Sequence, residues 1–304
     1  MFKTESDNQI VFQFDHALQN NRATYLQLIQ FHNFIVNNKD KTILLDFSNV
    51  KFISADLFAL LGCSLDIGLF NNNHNLTITN MSPKIQEVIR KNGFCFYLNW
   101  PSIEDTYNST MRYARFDANT IQLEEFEKYL VINVFERPQM PLMNSTYKDL
   151  IIDSLLEIFN NVIDHANSNY VYVCGQYFPK INKLRFSIID AGLTIHDNVT
   201  SYYASHPDKM PENALNWAVM PGNTTKSSAA PGGLGLPTLC DFLKENNGKL
   251  TIVSANEIYE HNREATYSDH LKYSFPGTIV NVEINMTDRN FYFLRESDSK
   301  CFIF

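Results

Sequence analysis

The chain predicts an α/β fold in two parts, and three observations carry that reading. Short apolar strands alternate with amphipathic helices from residue 1 to about 100. A second set of helices and strands begins near residue 144, after the proline-bearing stretch RPQMPLMN. The composition, 44% hydrophobic and 19% charged over 304 residues, is that of a globular chain long enough for two domains. The expected organisation is a domain over 1–100, a connecting segment with a candidate helix over 101–143, and a second domain over 144–304.

In the first part, QIVFQF reads as a strand and residues 23–37 as a helix. TILLDF (42–47) reads as a buried strand, and residues 56–70 as an apolar helix for which Asp56 is a suitable N-cap. LTIT (76–79) is another strand. The next helix has Ser82 as N-cap and Pro83 at its first position. Ile85, Val88 and Ile89 lie along one face, and Gly93 sits just past its end. PSIEDTYNSTMRYARFD (101–117) looks irregular, and IQLEEFEKYLVINVF reads as the candidate helix.

The second part opens with a helix capped near Asn144 or Ser145. Strand YVYVCGQYF, turn PKINK and strand LRFSIID, ending at Asp190, follow in order. A helix is expected near ENALNWAVM. The glycine- and serine-rich loop PGNTTKSSAAPGGLG (221–235) then runs into the helix LPTLCDFLKENNG, which Gly248 terminates. KLTIVS and GTIVNVEIN are the last strands.

Several classes are disfavoured. A net charge of −8 argues against general nucleic-acid binding, which needs a basic footprint. No segment has the length and apolarity of a membrane span, since LFALLGCSLDIGLF is short and interrupted by Asp66. The N-terminus lacks a signal-peptide core. Cys63, Cys95, Cys174, Cys240 and Cys301 are odd in number, without CxxC spacing and set in apolar stretches, as free thiols of a reducing cytoplasm would be. The eight histidines form no zinc motif.

Chemistry concentrates in three stretches. In EIFNNVIDHA (157–166), Leu155, Phe159, Val162 and Ala166 form a core-facing stripe with helical spacing. Glu157, Asn161, Asp164 and His165 fall on another face. Asp190 to Gly192 end a strand, and GGLGL, which is Gly232, Gly233, Leu234, Gly235 and Leu236, joins a loop to a helix start. Together they suit ATP and Mg²⁺. The Asn161 carbonyl is a sufficient protein ligand for an ion that keeps its waters and takes phosphate oxygens. Glu157, one turn earlier, is placed to polarise a water or hydroxyl as general base. Gly233 and Gly235 allow backbone N–H groups to approach phosphates at a helix N-terminus. Asp190 offers an acceptor to an adenine amino group, and Gly192 lets the base lie close to the backbone. Lys226 is either a γ-phosphate contact from the loop or a solvated lysine. His165 is either a phosphate contact or a packed histidine.

These stretches, in this order, resemble the GHKL ATPases: the ATPase domains of gyrases, heat-shock chaperones, histidine kinases and mismatch-repair proteins. EIFNNVIDHA resembles their N box, DAGLTI the G1 box, GGLGL the G2 box and PGTIV (276–280) the last motif, which implies Thr278 beside the adenine. Asp164 matches the gyrase-like form. Leu193 and Thr194 replace the second glycine region of G1, and Pro231 stands at the first glycine of G2. The likeness spans about residues 140–286. It implies an α/β sandwich with helices on one face of a mixed sheet.

ILLDFSNVKFISADLFALLG, with SPKIQEVIRKNG behind it, is similar to the STAS domain of anti-sigma-factor antagonists. There a serine at this turn is phosphorylated by a GHKL kinase, whereas here Asp56 stands at that position and Ser54 where the aspartate would be. The two likenesses imply a cytoplasmic, ATP- and Mg²⁺-dependent regulatory protein of the anti-sigma or serine-kinase type with a protein partner, and a homodimer is compatible with them. An ATP-gated binding switch with little turnover and a plain ATPase are the alternatives. The aspartate makes the first domain an expected fixed docking or dimerisation module and not a phosphorylated substrate.

Overall fold

In a computed structural model, the structure describes residues 2–6, 9–15, 17–206, 209–225 and 233–294. The first sheet has strands β1 (Phe2–Ser6), β2 (Gln9–Gln13), β4 (Thr42–Asp46) and β6 (Asn75–Thr79) in the order β1-β2-β4-β6. The last three are parallel, and β1 pairs antiparallel with β2. A two-residue pairing of β3 (Ala17–Leu18) with β5 (Phe52–Ile53) stands apart. Parallel strands need crossovers, supplied by helix α1 (Arg22–Asn37) and by a 3₁₀ turn at Ala55–Leu57 that leads into α2 (Phe58–Asp66). Helix α3 (Pro83–Lys91) follows β6, and Gly93 takes a positive φ of 83° just beyond it.

The second sheet is built from β7 (Thr110–Asp117), β8 (Tyr170–Phe178), β9 (Lys183–Asp190), β10 (Lys249–Asn262) and β11 (Thr266–Asn285). Its order is β10-β11-β9-β8-β7, and every neighbouring pair is antiparallel. The α/β class holds, but the mixed sheet expected of the second half is corrected. The chain returns antiparallel at the β8–β9 and β10–β11 hairpins and from β7 to β8, and β10 runs in the direction of β9 but is separated from it by β11, so no two neighbours are parallel.

The connecting segment is corrected as well. Residues 110–117 form the edge strand of this sheet on β8, and α4 (Thr120–Leu130), prolonged by a π turn over Val131–Phe135, packs on α5 (Ser145–Asn161). Phe126 of α4 stacks on Phe159 of α5 with ring centroids 4.8 Å apart. Asn144 caps α5, its side chain accepting from the Tyr147 N–H at 2.9 Å. Beyond β9 come α6 (Ile195–Ala204), α7 (Ala214–Ala218) and α8 (Gly235–Glu245). Helix α8 ends through Asn247, at a positive φ of 56°, and the Gly248 N–H donates to Leu243 O at 2.8 Å. Asn247, not Gly248, is therefore the left-handed residue. Gly248 is needed for another reason, because a Cβ there would lie 2.3 Å from Glu283 O.

Both faces of the second sheet are covered. Helices α4, α5 and α8 lie on the front, with Leu155, Phe159, Val162, Leu239 and Phe242 buried against Ile188, Val280 and Val282. On the back, Tyr172, Cys174, Ile189, Phe275 and Ile279 join one continuous core with the first half. Helix α1 lies between the two sheets: Phe31 meets Phe12 and Phe14, and His32 meets Phe275 edge to face.

Buried polar anchors fix this packing. Asp56 is 0% exposed. Its carboxylate accepts from Ser54, from Asn20 Nδ2 at 2.5 Å and from Asn281 Nδ2 of β11 at 2.7 Å. Asn281 also donates to Ser187 Oγ at 2.9 Å across the β9–β11 register. Burial pushes the Asp56 carboxyl above its usual range, against the hydrogen bonds from Ser54 and Asn20 that favour its charged form. The N-cap expected of Asp56 is thus corrected, because the side chain turns to the other half of the molecule. Asp66 makes a second anchor, taking Arg115 of β7 at 2.8 Å and the Tyr97 hydroxyl at 2.6 Å.

Asp56→Ala should destabilise the whole molecule by about 3 kcal/mol, because three donors lose one buried acceptor at once. Asp56→Asn should cost less. Urea denaturation followed by tryptophan fluorescence measures both, and equal midpoints for all three proteins would refute the anchoring role.

Candidate functional site

A cleft of about 980 Å³, including the open solvent at its mouth, lies where the C-terminal end of α5, the end of β9, α6 and the start of α8 meet. Its walls are apolar, with Ile158, Val162, Ile188, Val199, Leu236, Ile252 and Val280. Polar groups enter at two ends. Asp190 and Thr278, paired across β9 and β11, mark one end, and Glu157, Asn161 and Gly233 mark the other. Such a mainly apolar concavity with a few convergent polar groups is the usual form of a small-molecule site.

Asp190 is 3% exposed and ends β9. Its Oδ1 accepts from the Gly192 N–H at 3.0 Å. Burial pushes its carboxyl up to about 7, opposed by the backbone N–H groups of Gly192 and Thr278. Gly192 is required by close approach, since a Cβ would stand 2.1 Å from Ala166 O. The Leu193 N–H donates to that same carbonyl at 2.5 Å, so the strand end is strapped to the end of α5. Thr194, where the G1 likeness breaks, has a structural use. It caps α6 in a reciprocal box with Asp197, its hydroxyl accepting from the Asp197 N–H at 3.0 Å. Ser254 of β10 is buried behind Thr278, donating to Gly277 O at 2.7 Å and lying 3.2 Å from the Thr278 hydroxyl.

Glu157 and Asn161 occupy successive turns of α5. Beyond Asn161 the helix widens into a π turn over Val162–Ala166. The wider turn advances the register, so His165 lines the cleft while Asp164 is exposed outside its lining. Glu157 Oε2 accepts from the Gly235 N–H, the first residue of α8, at 2.7 Å. The loop before α8 is closed at its base: the Gly222 N–H donates to Gly233 O at 3.2 Å, and Gly233 has a φ of 74°. Lys226 and Gly232 lie outside the described residues. Leu234 immediately precedes α8 and Gly235 is buried at its start.

The structure therefore brings Glu157, Asn161, Asp190, Gly233 and Thr278 to one cleft, with Gly192 beneath Asp190 and Leu234 and Gly235 at its rim. Sequence reasoning missed Trp217, Asn198, Thr224 and Thr225, which also line it. The Thr-x-x-Asp capping box at Thr194 is the signal that marks α6, and with it the position of Asn198. Among the described residues no group of three or more His, Cys, Asp or Glu is arranged to hold a metal. A divalent ion here would rest on Asn161 and on ligand oxygens, which suits Mg²⁺. The acceptor at Asp190, set in an apolar floor, likewise suits a planar base that donates an amino hydrogen. No helix among the described residues is long and apolar enough to cross a membrane. Comparison with known protein families and with curated proteins finds no match to this chain.

Gly192→Ala should force the strap at Ala166 apart and lower stability by about 2 kcal/mol. Thermal unfolding monitored by circular dichroism checks this, and an unchanged melting temperature would contradict the close approach.

Proposed function

We propose that the second half is an ATP- and Mg²⁺-binding regulatory domain of the GHKL type, and that the first half is a STAS-like module fixed to its back. The observation that supports this best is the pairing of two chemistries in one cleft. A buried carboxylate beside Thr278 stands at one end, and Glu157 and Asn161, one helical turn apart beside a helix N-terminus, stand at the other. In this reading Asp190 and Thr278 hold the adenine, Asn161 holds Mg²⁺, and Gly233 to Gly235 offer N–H groups to the phosphates. Bound Mg²⁺ neutralises phosphate charge and orients the terminal phosphate. Glu157 accepts the proton of the attacking water or serine hydroxyl. The chain is then a cytoplasmic regulator acting on a protein partner.

One observation favours the alternative of an ATP-gated switch with little turnover. The Glu157 carboxylate is engaged through Oε2 by the Gly235 N–H at the start of α8. Incubation with γ-labelled ATP and Mg²⁺ separates the outcomes. Label released as phosphate marks an ATPase, label on an added or endogenous protein marks a kinase, and label retained as bound ATP marks the switch. Absence of binding rejects all three. If turnover occurs, Glu157→Ala should reduce it by about 10²–10⁴-fold. Asp56 should carry no phosphate in any case, as mass spectrometry of residues 52–58 will show.

Adenine recognition at Asp190 has a definite pH dependence. The carboxyl is pushed up to about 7, so it is largely protonated at pH 6 and ionised at pH 8. The ionised form is the better acceptor. Adenosine, which carries no phosphate to titrate, should bind ~tenfold more tightly at pH 8 than at pH 6. Asp190→Asn should bind weakly and with a flat profile. Calorimetry across that range checks both, and a flat wild-type profile would sink the adenine assignment.

A further inference from the structure

The contact between Glu157 and α8 has features of an exchangeable cap. A helix N-terminus leaves unpaired N–H groups, and the residue before α8 ordinarily supplies their acceptor. Here that residue is Leu234, which has no acceptor. The acceptor instead crosses from α5: Glu157 Oε2 takes the Gly235 N–H at 2.7 Å. The chain is shaped for this contact, because a Cβ on Gly235 would stand 2.5 Å from that oxygen and 2.9 Å from Glu157 Cβ. Glu157 lines the cleft, and so do Asn161 one turn on and Gly233 two residues before the helix. The carboxylate thus lies on the N–H group that the proposed reading offers to a phosphate.

A carboxylate and a phosphate cannot share one N–H at close range, because both are anions in a partly buried site. The more highly charged group, with Mg²⁺ alongside on Asn161, gains more from the helix end. The loop stems would register the exchange. Gly222 is bonded to Gly233, and a Cβ on Gly233 would lie 2.1 Å from Asn223 O, so both stems are tied to the start of α8.

We propose that Glu157 is a reversible internal stand-in for the terminal phosphate: it caps α8 in the absence of a triphosphate and is displaced from the Gly235 N–H when ATP binds. This rests on the nucleotide reading above and adds regulation to it. Adenosine leaves the cap in place, whereas ATP removes it, frees the carboxylate for a proton and resets the loop stems. One residue therefore caps α8 when the site is empty and becomes chemically competent only once the triphosphate has arrived.

The test is calorimetry of adenosine, ADP and ATP with Mg²⁺ on the full chain as wild type, Glu157→Ala and Glu157→Gln. Hydrogen exchange of the amides over 233–238 accompanies it. Removing the competing carboxylate should leave adenosine affinity within about twofold and raise the preference for ATP over adenosine about tenfold in Glu157→Ala, with a smaller rise in Glu157→Gln, whose amide still accepts the N–H without charge. The amides should exchange faster in unliganded Glu157→Ala than in wild type, with protection restored by ATP and not by adenosine. An ATP preference that falls or stays constant in both variants makes Glu157 a permanent cap and overturns the exchange. Should Glu157→Ala lose its cooperative melt, Glu157→Gln decides alone. Wild type that binds adenosine but shows no such change rejects the exchange only, and wild type that binds neither ligand rejects the nucleotide reading and the exchange with it.

Discussion

A sheet that is apolar on both sides must be covered on both sides, and this requirement organises the whole chain. In β8 and β9, residues Val171 to Gly175 and Phe186 to Asp190 are buried without interruption. Antiparallel sheets commonly leave one face to water and alternate accordingly. Here helices of the second half take the front and the first half takes the back. The back face still carries Asn281 and Ser187 in mid-strand, and a buried amide without partners is expensive. Asp56 meets that need, and in doing so fixes where the first half sits. The residue at the turn expected to be an antagonist's regulatory serine is part of the internal cement between two sheets.

The front of the same strands holds the cleft. Successive residues of a strand face opposite ways. Thr278 and Val280 thus open into the cleft while Ile279 and Asn281 face the first half, and Asp190 and Ile188 alternate with Ile189 and Ser187 in the same manner. The acceptor floor of the cleft and the attachment of the first half are made from alternate residues of one pair of strands. Burial raises the carboxyl of Asp190 on one side and of Asp56 on the other.

Much of this was legible in the sequence where the signal was local and periodic. The apolar stripe Leu155, Phe159, Val162 and Ala166 is buried as its spacing implies. Asn144 caps its helix, and β8 and β9 fall where their apolar runs place them. What escaped was non-local or disguised. β7 reads poorly because a bulge between Met111 and Ala114 breaks its alternation, and its charged residues Arg112 and Arg115 suggest a loop. The outer halves of β10 and β11 pair only with each other, and their exposed end is polar, with Arg22 of α1 pairing with Asp269 there. Asp56 looked like a cap because its decisive partner, Asn281, lies 225 residues away. His165 displaces Asp164 from the cleft through a π turn, which hydrophobic spacing does not disclose.

The clasp between Gly222 and Gly233 separates two kinds of freedom. The stems are held to tight tolerances: Gly233 abuts Asn223, and Gly235 abuts Glu157. Once a loop's ends are joined, doubling its length costs only about 0.6 kcal/mol of closure entropy. A change of length between the stems is therefore cheap in closure entropy, whereas a side chain at Gly233 or Gly235 collides at once with Asn223 or Glu157.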